Sequence, residues 1–372
     1  MSRPIIITAG GTGGHVFPAE ALASELDRRG FALALITDRR GGGYGETLSR
    51  IPNHRISAGQ VASRGFVGRL LGLASLGLGV LQARGLMRRL RPVAAVGFGG
   101  YAAFPATLAA TLSGIPTAIH EQNAVLGRAN RLVSGRVRHI ATAFAEVAGL
   151  RGAARARCVL TGNPVRDAVV ALSNRPYIPA AENGPLTLLV LGGSQGARVF
   201  SDIMPAALAL LDAAARAHLI VIQQCRPEDL EAVRDAYDRI GVTAELAAFF
   251  DDVPERLAAA HLVIARAGAS TVAECTTAGR PAILVPYPWA VDDHQTANAR
   301  AVAAGGAGWL MPQPDFTAAA LAARLAAFLD APATLAEAAA KARAMGHPDA
   351  ARKLAELVVH MIPDRNGDAG ET

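Results

Sequence analysis

Ile5-Ile6-Ile7-Thr8-Ala9-Gly10-Gly11-Thr12-Gly13-Gly14-His15 decides how this chain folds. A β-branched run ends in a Gly-rich turn, and Pro18-Ala19-Glu20-Ala21-Leu22-Ala23 then opens a helical pattern. Such a strand–turn–helix corner aims backbone N–H groups and the positive helix end at one point, which suits a phosphate. A second corner of the same kind stands far downstream, at Leu186-Thr187-Leu188-Leu189-Val190-Leu191-Gly192-Gly193-Ser194-Gln195-Gly196-Ala197. Two such corners predict two nucleotide-style α/β halves with a cleft between them.

The 372 residues favour two domains over one, and a 51% hydrophobic content is ample for buried cores. Strand-like runs alternate with Ala/Leu-rich helical ones, the pattern of parallel α/β architecture. The first apolar run is three isoleucines stopped by a glycine loop, which does not read as a secretory signal. Cys158, Cys225 and Cys275 are scattered without ligand spacing and fit a reducing cytosol without disulfides or zinc.

The net charge of +6 hides an asymmetry. Residues 1–165 hold 20 basic and 7 acidic side chains (net +13), and the remainder holds 17 and 24 (net −7). Between Glu46 and Glu121 there is no acid, while Arg50, Arg55, Arg64, Arg69, Arg84, Arg88, Arg89 and Arg91 all fall there. An arginine-rich genome explains Arg over Lys but not the missing acids. A basic half joined to an acidic half implies an anionic partner on one side.

After the first corner, Phe31–Thr37 reads as a second strand ending near Asp38, where an acid would meet a ribose in a dinucleotide enzyme. The first loop argues against that enzyme class: Val16 stands where G-x-G-x-x-G needs its last glycine, and no Gly-Lys-Ser/Thr follows for a P-loop. The loop ends instead in His15, which fits a base, a phosphate donor or merely a helix-start residue. Within Phe66–Met87, the uncharged run Leu70–Ala83 is shorter than the ~20 residues that cross a bilayer and carries Arg at both ends. It fits a helix lying at a lipid interface, or a buried helix of an α/β domain. Val93–Phe98 and Ile115–His120 read as strands, each followed by a turn or polar cluster. Ligands gather at strand C-termini in open α/β sheets, so His15, Gly99, Tyr101, His120, Glu121 and Asn123 are expected to share a rim. His120-Glu121 lacks the second His of a zinc helix, so no metal is expected.

Val159–Arg166, with Gly162-Asn163-Pro164 as a turn, reads as the crossing between halves. Beyond the second corner, Leu219–Ile222, Ala244–Phe250, Leu262–Ile264 and Pro281–Pro286 read as strands. Ala265-Arg266-Ala267-Gly268-Ala269-Ser270-Thr271-Val272-Ala273-Glu274 opens a helix with small residues, a further anion cradle. Glu274 one turn in could accept hydrogen bonds from a ribose diol, or serve only as a carboxylate near the helix start. The C-terminal region reads as Ala-rich helix, with Asn366–Thr372 expected to fray.

Taken together these segments resemble the MurG family, the UDP-N-acetylglucosamine transferases that complete the lipid-linked peptidoglycan precursor. The resembling pieces are GGTGGHVFPA, GFGGYAAFPA, HEQN, TGNPVR, LGGSQGA, FFDD, ARAGASTVAE and DDHQTAN, in the family's order over nearly the whole chain. The resemblance implies a GT-B fold, two Rossmann-like doubly wound parallel-sheet domains facing across a cleft. It implies an acceptor and membrane-side domain over 1–165, a UDP-GlcNAc domain over 166–344, and a C-terminal helix at about 345–365 returning to the first. It further implies an inverting hexosyltransferase, peripheral on the cytoplasmic face of the bacterial inner membrane, needing no cofactor and no nucleic acid. The donor is UDP-GlcNAc, the acceptor undecaprenyl-diphospho-MurNAc-pentapeptide, and the surface an anionic membrane.

By motif position, Thr12, Gly13 and Gly14 resemble loop contacts to the donor or its diphosphate, and Asn123 a contact to the donor sugar. Arg166, Ser194 and Gln295 match donor-binding positions, and Phe250 one that meets uracil through its backbone. Ala269, Ser270, Thr271, Val272 and Ala273 would wrap the diphosphate, with Glu274 on the ribose, and His15 matches the histidine favoured as general base. The chain departs from the family in Ala267 for Ser, Ser270 for Leu and Phe250 for Ile, and in Ile222-Gln223-Gln224-Cys225 where a His-Gln-x-Gly-like segment is common. Two other readings are a GT-B transferase with another lipid acceptor, and a non-catalytic nucleotide- or NAD-binding protein suggested by Asp38.

Overall fold

A computed structural model describes residues 3–10, 13–38, 45–59, 66–181, 184–193 and 196–363, the side chains of 66–69 excepted. The chain divides into two compact units, Met1–Arg166 with Asp349–Thr372, and Asp167–Pro348. The first holds seven parallel strands: β1 (Ile5–Thr8), β2 (Leu33–Asp38), β3 (Asn53–Ile56), β4 (Ala94–Gly97), β5 (Thr117–Glu121), β6 (His139–Thr142) and β7 (Cys158–Leu160). Their order across the sheet is β3-β2-β1-β4-β5-β6-β7. Ile5 stands opposite both Leu33 and Ala94.

Every residue of β1, β2, β4 and β5 is buried, because helices cover both faces of a parallel sheet. The period of two splits β1 between two cores. Ile5 and Ile7 pack with Val16, Leu22 and Leu26 of the helix Gly13–Arg28 and with Leu354 and Val358 of the C-terminal helix Ala350–His360. Ile6 packs on the other face with Ile36, Ala83, Met87 and Ala106. The C-terminal helix thus completes the core of the unit that the chain builds first.

The second unit holds β8 (Leu186–Leu191), β9 (Leu219–Gln224), β10 (Thr243–Ala247), β11 (Leu262–Ala265), β12 (Ala282–Leu284) and β13 (Gly308–Leu310). These are ordered β10-β9-β8-β11-β12-β13 and all pair in parallel. Leu188, Val190, Phe200, Met204, Tyr237 and Phe316 lie in its core, with Phe200 and Phe316 edge to face at 5.6 Å. In each sheet the strand order reverses direction once, between β1 and β4 and between β8 and β11. A crevice opens at such a switch point beyond the strand C-termini.

The apolar run expected to end at Ala83 belongs to a longer helix, Phe66–Leu90. Arg84, Arg88 and Arg89 continue it, since arginine is a good helix former and these sit in the last turns. Its stretch Leu70–Leu90, 21 residues, is therefore long and apolar enough to cross a bilayer, which the shorter uncharged run was not. It is also bound to the first unit: Leu76, Ala83 and Met87 are buried, and a Cβ on Gly79 would stand 1.9 Å from the Ser57 carbonyl oxygen. Leu70, Leu71, Leu73, Leu78 and Leu81 face solvent.

Candidate functional site at the strand C-termini

In the first unit Gly10 lets the β1 corner close. A Cβ there would stand 2.7 Å from Ala102 Cβ and 2.8 Å from Thr37 Oγ1, so no larger residue fits without displacing a neighbour. Thr12 lies outside the described residues. Gly13 and Gly14 open the helix, and a Cβ on Gly13 would meet the Phe17 ring at 2.8 Å. The Arg166 guanidinium stands 5.8 Å from the centre of that ring, which brings Arg166 to the first corner. The His15 ring lies over the neighbouring β4 corner: its Cδ2 and Nε2 are 3.4 Å from where a Cβ on Gly100 would be. Gly99 and Gly100 have φ of 80° and 74°, a conformation that favours glycine. The switch point thus gathers Gly13, Gly14, His15, Gly100 and Arg166.

His120 and Glu121 do not stand on this rim with His15 and Asn123, as the sequence reading expected; both are buried beneath it. His120 Nε2 is 3.0 Å from the Gly162 carbonyl, which can only accept, so Nε2 carries the proton. Nδ1 then accepts from Gln122 Nε2 at 3.2 Å, and Gln122 also donates to the Phe98 carbonyl at 3.0 Å. One Glu121 oxygen accepts from Gly127 N at 2.9 Å and Asn130 Nδ2 at 2.8 Å. The other accepts from Asn123 N at 3.1 Å and Asn123 Nδ2 at 3.4 Å. Glu121 therefore shapes the loop that presents Asn123.

Burial, with help from His15 nearby and against the Gly162 hydrogen bond, lowers the His120 pKa from 6.5 to about 4. Between those values the unfolded chain binds a proton that the folded chain does not. Stability should fall as pH drops from about 6.5 to about 4, by on the order of 3 kcal/mol. His120→Gln should lose that part of the pH dependence, read from urea midpoints at pH 7 and pH 5. Equal slopes for both proteins would show that His120 is not the group responsible.

In the second unit a Cβ on Gly192 would stand 2.4 Å from Ala197 N and 2.7 Å from the Gly196 carbonyl carbon. Gly193 and Gly196 have φ of 81° and 67°, so the turn closes only on glycines. Ser194 lies outside the described residues, as does Gln195. After the adjacent strand β11, Gly268 caps the helix Ala269–Ala278 and, as a glycine, brings no side chain to its first N–H groups. Those of Ala269, Ser270 and Thr271 precede the helix's own bonds, which begin with Val272 N donating to the Gly268 carbonyl at 3.0 Å. Ala269 and Val272 are buried, whereas Ser270, Thr271, Ala273 and Glu274 are half-buried along this helix start. Ser270 Oγ is buried with no protein hydrogen-bond partner among the described residues.

Two residues that sequence reasoning missed hold this corner. Arg266 donates to the Val285 and Pro286 carbonyls at 3.2 and 3.1 Å and to Gln313 Oε1 at 2.7 Å. Asn298, fully buried, donates to the Ala267 carbonyl at 3.0 Å. A lone arginine in a small-residue run was the available signal for the first. Gln295 Oε1 accepts from Tyr287 N at 2.9 Å, placing Gln295 beside the β12 end. Phe250 is buried, with Arg256 over its ring at 4.0 Å and paired at 2.7 Å to both Glu245 and Asp252. Cys225 is interior: burial raises its thiol pKa, and Gln223 beside it accepts from Tyr237 OH at 2.6 Å.

Comparison with known proteins adds to this geometry. Residues 5–142 match the glycosyltransferase family 28 N-terminal domain, and residues 187–354 match its C-terminal domain. A protein of Paramagnetospirillum magneticum named UDP-N-acetylglucosamine–N-acetylmuramyl-(pentapeptide) pyrophosphoryl-undecaprenol N-acetylglucosamine transferase is 60% identical over 366 residues, 98% of this chain and 99% of its own. The protein of that name from Rhodospirillum centenum is 58% identical over 364 residues, covering 98% and 96%. The crystal structure of MurG from Acinetobacter baumannii matches with a TM-score of 0.79 at 31% identity, covering 96% of this chain and 99% of that one.

Proposed function

This chain belongs to the MurG family within glycosyltransferase family 28, and on that premise we propose that it transfers N-acetylglucosamine from UDP-GlcNAc to the C4 hydroxyl of MurNAc in undecaprenyl-diphospho-MurNAc-pentapeptide. The observation that carries the reading is the second unit's switch point. A turn closed on Gly192, Gly193 and Gly196 lies beside a helix start with no side-chain cap at Gly268, an arrangement suited to a diphosphate.

In this reading the second unit holds the donor. The helix start Ala269, Ser270, Thr271, Val272 and Ala273, with Ser194, wraps the diphosphate, the N–H groups of its first turn donating; Glu274 takes the ribose diol, the Phe250 backbone the uracil and Gln295 the sugar. By motif position Thr12, Gly13, Gly14, Asn123 and Arg166 are also read as substrate-binding residues. The acceptor hydroxyl attacks C1 of GlcNAc in line, the C1–O bond to UDP breaks, and a β-1,4 bond forms with inversion. His15 takes the hydroxyl proton. Charge gathering on the leaving diphosphate is met by preorganised N–H groups.

The membrane contact belongs to the helix Phe66–Leu90, whose exposed leucines adjoin Arg84 and Arg88 in the basic half of the chain. Apolar burial and attraction to anionic lipid act together in such a helix, which supports the reading of a peripheral protein on the cytoplasmic face of the inner membrane. Leu71→Asp with Leu81→Asp should weaken binding to anionic vesicles at least about tenfold without lowering the unfolding temperature. Unchanged vesicle binding would move the contact elsewhere.

Transfer of radiolabel from UDP-GlcNAc to alternative lipid acceptors tests the acceptor. The muramyl-pentapeptide lipid should be labelled, and a lipid A precursor or diacylglycerol should not. Labelling of either of the latter in its place would favour a transferase with another lipid acceptor.

A further inference from the structure

Between β12 and the helix His294–Ala304 the chain presents apolar side chains to solvent: Tyr287 is 43% exposed, Trp289 73% and Val291 57%. Large exposed aromatic surface in one place marks a contact site. The segment is held in shape. The Tyr287 carbonyl accepts from Ala290 N and the Ala290 carbonyl from Asp293 N, both at 3.0 Å. His294 Nδ1 donates to the Val291 carbonyl at 2.8 Å. Asp292 and Asp293 both adopt the left-handed conformation, with φ of 54° and 51°, which short polar side chains tolerate better than others. The Tyr287 and Trp289 rings meet edge to face at 5.5 Å, and the Arg266 guanidinium lies 5.5 Å from the Tyr287 ring centre. The Tyr287 ring therefore stands beside the β11 corner, with the Trp289 ring next to it.

The same segment fixes an amide. Because Gln295 Oε1 is engaged by Tyr287 N, its Nε2 presents N–H donors. A ring platform next to a donor amide fits a pyranose, which offers an apolar C–H face and hydroxyl oxygens. A lipid surface would use the rings but not the amide, and Asp292 and Asp293 beside them repel an anionic bilayer.

We propose that Trp289, backed by Tyr287, is the platform for the C–H face of the donor's N-acetylglucosamine ring, the sugar to which the Gln295 amide is already assigned above. The proposal rests on the donor site described above. It makes Trp289 a determinant of preference for the sugar nucleotide over the bare nucleotide.

Calorimetric titration of the full chain with UDP and with UDP-GlcNAc tests it, using Trp289→Ala and Trp289→Phe. Trp289→Ala should weaken UDP-GlcNAc about three- to tenfold and leave UDP unchanged, and Trp289→Phe should recover most of the loss. An unchanged ratio of the two affinities in Trp289→Ala would overturn the platform, including the case in which anionic-vesicle binding is lost instead. Wild-type protein that binds neither nucleotide would overturn the donor reading itself.

Discussion

Replacing His15 with alanine is expected to lower turnover about 10²–10⁴-fold while the affinity for UDP-GlcNAc changes little. Two titratable groups near the first unit's switch point are engaged elsewhere. His120 is fully buried, with its Nε2 proton committed to Gly162 and its Nδ1 to Gln122. Glu121 is buried and accepts four hydrogen bonds from Asn123, Gly127 and Asn130. His15, half-buried with its imidazole over Gly100, is the basic ring at the corner itself. Donor binding is assigned mainly to the second unit, so removal of the ring should separate chemistry from donor affinity. Steady-state turnover and calorimetric titration on the same preparation read the two effects. Turnover near wild type would remove His15 from proton transfer, and parallel loss of affinity would make it a binding group.

Glu121→Gln should cost about 3–5 kcal/mol of stability, although it changes one atom. Each carboxylate oxygen takes two donors, and a glutamine places an NH₂ group against one of those pairs. The buried N–H groups it faces then lose their acceptor. For a unit of this size the unfolding temperature should fall by roughly 10 °C, measured by calorimetry. The Michaelis constant for UDP-GlcNAc should rise with it, because Asn123 is presented by the same carboxylate. An unfolding temperature within about 2 °C of wild type would show that Glu121 does not organise the loop.

The buried strands were legible because their chemistry is local. Ile5-Ile6-Ile7 and Leu188-Leu189-Val190 are apolar throughout, as strands covered on both faces tend to be. Asn53-His54-Arg55-Ile56 was not legible: only Ile56 is buried, and the strand exists through pairing with β2 at the sheet edge. β13, at the far edge of the second sheet, is three residues long and carries no alternation to read. The apolar length of the helix Phe66–Leu90 was underestimated because only its uncharged part, Leu70–Ala83, was measured, whereas arginine extends a helix while leaving its buried side to Ala83 and Met87.

The glycine corners could be read for a similar reason, since a run of glycines between strand and helix has few other uses. The carboxylate beneath them could not. The work of Glu121 depends on N–H groups six and nine residues away that nothing in its own surroundings announces. Arg266 likewise acts through carbonyls of Val285 and Pro286 that only the fold brings near.

The central claim is that this chain moves a sugar from a nucleotide to a lipid-linked muramyl acceptor. Release of UDP from UDP-GlcNAc, measured with and without undecaprenyl-diphospho-MurNAc-pentapeptide, tests it most directly. Release should be slow alone and rise steeply when the lipid-linked acceptor is added. Release that ignores the acceptor, or none under either condition, would contradict it.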